Sequence, residues 1–289
     1  MATLKRCHLD MEDGNSSFPI TKYPKLADDH SFPSTYPAKQ CLKMVAGSFY
    51  LPKDNPKKPQ GEDAHFICLE KQTLGVADGV GGWAKKGIDG GEYARQLMKN
   101  SLIAVQNQPR GAVDLKKVLR EGYLQTKAQG SSTACIITLN EQKRRLHAIN
   151  VGDSGFILFR NNRFLYRSPA MQHRFNRPYQ LGNSSTSDRP ESAVVSTIWV
   201  MPGDIIIVGT DGLFDNMWPE EIEKVLDQRS STKASMEPEE LAWNIAKLAL
   251  HNSLNRHSVS PFSNAARMAG KEHIGGKVDD ITVVVAHIV

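Results

Sequence analysis

From residue 42 onward the chain alternates short apolar runs with polar punctuation, in two different periods. One set of runs is rich in β-branched residues and closely spaced: "CLKMVAGSFYL", "DAHFICLE", "TLGVAD", "STACIITLN", "LHAINVGD", "GFILFR", "RFLYRS", "VVSTIWVM", "DIIIVGTD" and "DDITVVVAHIV". These read as strands. "NEQKRR", "DS" and "NN" are short enough for hairpins, so the sheets are expected to be mainly antiparallel. The basic "KRR" at 143–145 then falls in a solvated turn.

The other set follows the helical period. Asp89, with Glu92 as its N3 partner, caps a stripe of Ala94, Leu97, Met98, Leu102 and Val105. Leu115, Val118, Leu119 and Tyr123 make a second stripe. Pro219 opens a short helix through Leu226, and Pro238 opens a longer one with Leu241, Ile245, Leu248 and Ala249. Strands flank both helix pairs along the chain. Two packed antiparallel sheets with a helix pair outside each bury all these faces, which predicts an α+β fold, a four-layer α-β-β-α sandwich. Residues 1–40, rich in Ser, Pro, Asp and Lys without sustained period, are expected to be a flexible N-terminal extension, and residues 41–289 a single domain.

Composition adds mainly exclusions. The chain has 289 residues with a formal net charge of +5, too mild for a nucleic-acid footprint. No apolar run approaches the eighteen or so residues of a membrane span, and the N-terminus lacks the apolar core of a secretory leader. Acids at positions 10, 12 and 13 argue against a transit peptide, which favours cytoplasm or nucleus over plastid or mitochondrion; a monomer is the default. Cys7, Cys41, Cys68 and Cys135 form no C-x-x-C pair and no C-x5-R loop, so nothing suggests a cysteine nucleophile.

"GVADGVGGW" poses the first chemical question. Gly79, Gly81 and Ala84 fit a dinucleotide fingerprint after a strand. Residues 93–113, where the ribose-binding acid belongs, contain no Asp or Glu, and Asp78 would face a pyrophosphate at a repulsion of roughly 4 kcal/mol. An aspartate on such a corner suits a cation. Other acids fall likewise against strand ends: Glu62 and Asp63, Asp153, Asp211, and the doublet Asp279–Asp280. Asp78, Asp153 and Asp211, each beside a glycine, alone read as turn residues. Gathered together, desolvated carboxylates repel and need a positive partner, and an all-oxygen set suits Mg²⁺ or Mn²⁺.

"GEDAHF", "GVADGVGGW", "SSTACIITL", "INVGDSGF", "VGTDGLFDN" and "GGKVDDITVVV" together resemble, in order and spacing, the protein phosphatase 2C family. The likeness runs over 41–289 and is greatest to a plant-type branch with "DGVGGW" and "HxFNxPYQL", here "HRFNRPYQL" from His173 to Leu181. The resemblance implies the same sandwich, with a two-metal centre at one edge of its sheets. It implies that Asp78 bridges two divalent cations, Mg²⁺ or Mn²⁺, that the Gly79 carbonyl binds the first, and that Asp211 and Asp279 hold the second. Glu62 then reaches a metal through water, Asp63 orients a bound water, and Asp153 with Asp211 forms a weaker third site. Asp280 is either a supporting residue or, if the doublet is displaced by one, the ligand in place of Asp279.

The implied activity is hydrolysis of phosphoserine and phosphothreonine in protein substrates by a hydroxide bridging two metals. Side chains at Gly79, Gly81 or Gly82 would crowd that centre, and Trp83 is expected to anchor the turn by packing. Two positions depart from the family. Val80 stands where many members have a histidine proton donor, which leaves His65 and His173 as candidates, the former also readable as structural. Lys58 stands where many have a phosphate-gripping arginine; Lys57 and Lys58 are a steering pair or a solvated linker. A phosphoprotein-binding pseudophosphatase and a nucleotide-dependent oxidoreductase are the competing readings.

Overall fold

Strands covered on both faces explain the nearly unbroken apolar runs. A computed structural model describes residues 41–56, 58–231 and 237–289; the expected extension at 1–40, and Lys57, lie outside them. The first sheet has the order β1 (Met44–Leu51), β14 (Ile281–Ile288), β13 (Ile205–Gly209), β7 (Gly155–Arg160), β8 (Arg163–Arg167). The second runs β12 (Val194–Trp199), β6 (Arg145–Val151), β5 (Ala134–Asn140), β3 (Thr73–Asp78), β2 (Asp63–Cys68). Every pairing within them is antiparallel.

Three apolar clusters fill the spaces between four layers. Leu74, Val76 and Ile137 of one sheet meet Phe156, Val208 and Val284 of the other. On the outer face of the second sheet, Phe66, Ile136 and Ile149 pack against α1 (Gly90–Gln106) and α2 (Leu115–Gln125). On the outer face of the first, Ile157, Ile207 and Val283 pack against helices that include α4 (Pro219–Ser231) and α5 (Pro238–Leu254). At roughly 1.5–3 kcal/mol per fully buried aliphatic or aromatic side chain, these clusters hold the layers together. The sandwich expected from the sequence is the one observed.

Several local expectations need correction. "DS" is not a hairpin: Asp153–Ser154 carries the chain from β6 in one sheet to β7 in the other. "NN" is one, with Arg160 paired to Arg163 and both Asn161 and Asn162 at positive φ, as a two-residue turn matched to strand twist requires. The Asp89 side chain caps α1 by accepting from the Gly91 amide, but Glu92 reaches Arg95 at 3.6 Å rather than closing a capping box. Beyond Leu226, where the apolar stripe ends, α4 continues to Ser231.

Two short helices escaped the periodicity because each is under three turns: α3 (Asp211–Phe214) and α6 (Pro261–Met268). The latter opens with Pro261 and a Ser260–Ser263 capping box. Two small ribbons complete the elements, β4 (Ser131–Ser132) with β11 (Leu181–Gly182), and β9 (Gln172–Arg174) with β10 (Arg177–Pro178). No helix of the described residues is long and apolar enough to cross a membrane.

Candidate functional site

Both sheets deliver acids to one end of the sandwich. The register of β2 with β3 places Asp63 directly opposite Asp78. From the other sheet, β13 ends just before Asp211, which begins α3, and β14 starts just after Asp279 and Asp280. Asp153 comes from the step between the sheets. Gly212 lies so close to this segment that a Cβ there would overlap the Asp280 carbonyl, so α3 can approach β14 only without a side chain at that position.

Asp63 ties the two sheets together. Its Oδ2 accepts from the Thr210 and Thr282 hydroxyls, each at 2.7 Å, while the Thr282 amide donates to Thr210 Oγ1. Asp78 is held from behind, its amide donating to Thr133 Oγ1 at 3.0 Å, and that hydroxyl lies 2.6 Å from Ser154 Oγ. The Gly79 amide donates to the Glu62 carbonyl, and a Cβ on Gly79 would come within 2.5 Å of the Gly90 carbonyl and 2.6 Å of that of Glu62. Gly81 is close only to the Glu62 carboxylate, and Gly82 has room, its nearest neighbour being 3.8 Å away; crowding at Gly82 is therefore not what the turn demands. Trp83 ties the turn down by a hydrogen bond, its indole N–H donating to Ser131 Oγ at 2.7 Å, and it is not part of the buried apolar clusters that packing would require.

The doublet divides its work. Asp280 is almost fully buried and accepts from the Glu62 amide at 2.9 Å and the Lys53 amide at 2.8 Å. Asp279 instead faces ammonium groups, Lys53 at 2.9 Å and Lys277 at 3.4 Å. Lys53 and Lys277 were not among the residues expected from the sequence, whereas Lys58 was. Lys53 and Lys58 grip the two oxygens of Glu62, and Lys277 pairs with Asp211 and with Asp215. The signal was present: Lys277 lies two residues before Asp279, and Asp215 four after Asp211.

Burial and mutual repulsion govern the charges. Burial pushes Asp78 well above the usual carboxylate range, and Asp211, Asp63, Asp279 and Asp153 push it the same way. Burial likewise raises Asp63, helped by Asp280 and opposed by its two threonine donors. Asp153 rises to about 7 through burial, with Asp211 and Asp215 adding to it. Burial raises Asp215 to about 6, against the pull of Lys277. Burial would raise Asp279 too, but Lys277 and Lys53 hold it below its ordinary value.

Among the described residues no three carboxylate, imidazole or thiol groups converge as a ready-made ligand set. The donor chemistry nevertheless fits a hard cation. Three buried carboxylate oxygens, Asp63 Oδ1, Asp153 Oδ1 and Asp211 Oδ1, receive no hydrogen bond, and acids so arranged ionise together only with added positive charge.

The histidines separate. His65 lies half-buried between the sheets with its Nε2 2.9 Å from Ser48 Oγ, a contact that ties β2 to β1 and supports the structural reading. His173, on β9, is exposed, stacks on Tyr179 at 3.8 Å and places Nε2 3.0 Å from Asp188. Its neighbour Gln172 donates to Asp153 Oδ2 at 2.8 Å. The structure thus brings His173 to the edge of the site without ring contact to the acids.

Comparison with known proteins agrees with this geometry. The family described as Stage II sporulation protein E (SpoIIE) matches residues 71–289. Two curated Arabidopsis thaliana proteins, "Probable protein phosphatase 2C 55" and "Probable protein phosphatase 2C 80", are 50% and 47% identical over 87% and 89% of this chain. The chain spans 54% and 61% of their lengths. Among solved structures, "X-ray structure of the photosystem II phosphatase PBCP" is 31% identical, with a TM-score of 0.76 over 84% of this chain and 98% of that one.

Proposed function

We propose that this chain, which belongs to the protein phosphatase 2C family, is a metal-dependent protein phosphatase that hydrolyses phosphoserine and phosphothreonine in protein substrates. One observation carries the reading: buried acids from both sheets act on one another at one end of the sandwich, and the Oδ1 atoms of Asp63, Asp153 and Asp211 receive no hydrogen bond. Asp78, the Gly79 carbonyl, Asp211 and Asp279 would hold two Mg²⁺ or Mn²⁺ ions, with Glu62 reaching one through water and Asp153 contributing to a third position. Such ions, when bound, supply an acidified water and neutralise charge on the phosphoryl oxygens.

The chain's own residues do the rest. Asp63, fixed by Thr210 and Thr282, orients water for attack on phosphorus. Asp280 acts by holding the Glu62 and Lys53 backbone, so Asp279 is the ligand of the pair. Lys58, bound to Glu62, offers a single point charge to the phosphate where a guanidinium fork would give two bonds. With Val80 unable to donate a proton, His173 is the proposed donor to the leaving oxygen, its ring held by Asp188 and Tyr179. The catalytic domain is residues 41–289.

The test is hydrolysis of a phosphothreonine peptide and an aryl phosphate by wild type, Asp78→Asn and Asp211→Asn, with and without Mn²⁺. The expected result is metal-dependent turnover that both substitutions reduce at least a hundredfold. Metal-independent turnover, or unchanged variants, would overturn the proposal, and metal binding without any turnover would favour a phosphoprotein-binding scaffold. His173→Ala is expected to slow the peptide about 10²- to 10⁴-fold while sparing the aryl ester, whose leaving group needs no proton.

A further inference from the structure

Beyond Phe262 from the acids, the chain forms an open cleft of about 490 Å³ between the β9–β10 hairpin and α6 with the residues that follow it. Its floor is aromatic. Phe175, in the hairpin turn, packs 5.1 Å from Phe262, and the His273 ring meets Phe262 edge-on at 4.7 Å. These contacts fix the hairpin against the helix and give the cleft a defined shape.

Its rim is cationic. Arg174, Arg177 and Lys271 line the cleft and are exposed, and none of the three is paired with an acid among the described residues. Arg174 and Arg177 are direct register partners across the ribbon, an arrangement in which like charges destabilise the pairing. The fold gains nothing from two arginines so placed; an anion lying across them does. Glu272 also lines the cleft and leaves it net positive.

The cleft adjoins the acids through Lys277. Lys277 places its ammonium group 5.3 Å from the Phe262 ring centroid while pairing with Asp211, Asp215 and Asp279. One side chain thus separates the two, a gap that roughly two to four residues of extended peptide cover at about 3.3 Å each.

We propose that this cleft binds acidic side chains flanking the phosphorylated residue, and so selects phosphoproteins carrying Asp or Glu about two to four positions from the site of hydrolysis. The proposal rests on the phosphatase reading and adds to it a specificity-determining surface. Three exposed charge pairs of ordinary strength amount to roughly a tenfold preference in kcat/KM, weakened by salt.

The experiment compares wild type with the triple variant R174E/R177E/K271E on three substrates: an aryl phosphate, a phosphothreonine peptide with neutral flanks, and the same peptide with Asp and Glu at those positions. Wild type is expected to prefer the acidic peptide about tenfold, the preference falling as NaCl is raised. The variant is expected to lose or reverse it while hydrolysing the aryl phosphate at the wild-type rate, which also shows that it is folded. An unchanged ratio of acidic to neutral peptide, with aryl phosphate turnover intact in both proteins, overturns the cleft proposal alone. Failure of wild type on every substrate overturns the phosphatase reading instead; binding of the two labelled peptides, followed by fluorescence anisotropy, then decides the cleft, and equal affinities for wild type and variant overturn it.

Discussion

Without a divalent cation, this protein is expected to lose stability as pH rises from 5 to 8. The perturbation is ionisation of acids that the fold prefers protonated. Asp153 stands at about 7 in the folded chain against an ordinary 3.8, and at about 1.4 kcal/mol per pH unit its ionised form costs roughly 4 kcal/mol. A carboxyl whose folded pKa is raised holds its proton more tightly in the folded chain than in the unfolded one, so stability is full below the unfolded value of about 4 and falls progressively until about pH 7 is passed. Asp215, at about 6, acts in the same direction over a lower window, and because it shares Lys277 and Asp211 with Asp153 the two effects overlap rather than add. About 3 kcal/mol of this falls between pH 5 and pH 7, which for a domain of this size corresponds to a Tm change of about 8 °C. Thermal melts of the metal-free protein at pH 5, 6, 7 and 8, repeated with Mg²⁺ or Mn²⁺, measure it. The metal is expected to raise Tm little at pH 5, where protons occupy the acids, and by the equivalent of about 2.7 kcal/mol at pH 8 when present at a hundred times its Kd. Asp153→Asn should flatten the metal-free slope. A metal-free Tm that holds or rises from pH 5 to 8, or a metal effect equal at both ends, would refute the reasoning.

Two further outcomes follow from contacts at the site. Gly79→Ala drives a methyl group into two backbone carbonyls and is expected to cost about 1–3 kcal/mol and most activity, whereas Gly82→Ala, with open space around it, should match wild type in melting and turnover. Thr210→Val with Thr282→Val strips Asp63 Oδ2 of both hydroxyl donors; supporting contacts of this kind are worth about 10- to 100-fold, so the Mn²⁺ concentration for half-maximal activity should rise by that factor, and an unmoved midpoint would show that Asp63 does not need them.

The layers of the fold were legible because apolar runs such as "DIIIVGTD" and "ITVVVAHIV" have no polar face to turn outward, which demands cover on both sides. The acids were legible because each lies at one end or the other of such a run. What the pattern could not give was connectivity: "GDSG" has the composition of a tight hairpin, and only the wider pairing of β6 with β5 and β12 shows that the chain changes sheets there. Nor could it give the lysines. Lys53 and Lys277 lie in segments without period, and a cation's role among acids depends on long-range approach that local spacing does not encode. The division between Asp279 and Asp280 also came from three dimensions, since alternation along a strand says that neighbours point apart but not which of them meets the backbone of Glu62.

The passage of the chain between sheets at Asp153–Ser154 has a consequence of its own. The acids belong to neither sheet alone; they are a property of the contact between two halves that could each, in outline, pair their strands independently. A cation seated among them would act as a rivet, with the central packing of Val76, Ile137, Phe156 and Val284 as part of its mounting. Sliding one sheet over the other would change the spacing of the acids, so the alignment of the sandwich would set how well they could hold a metal.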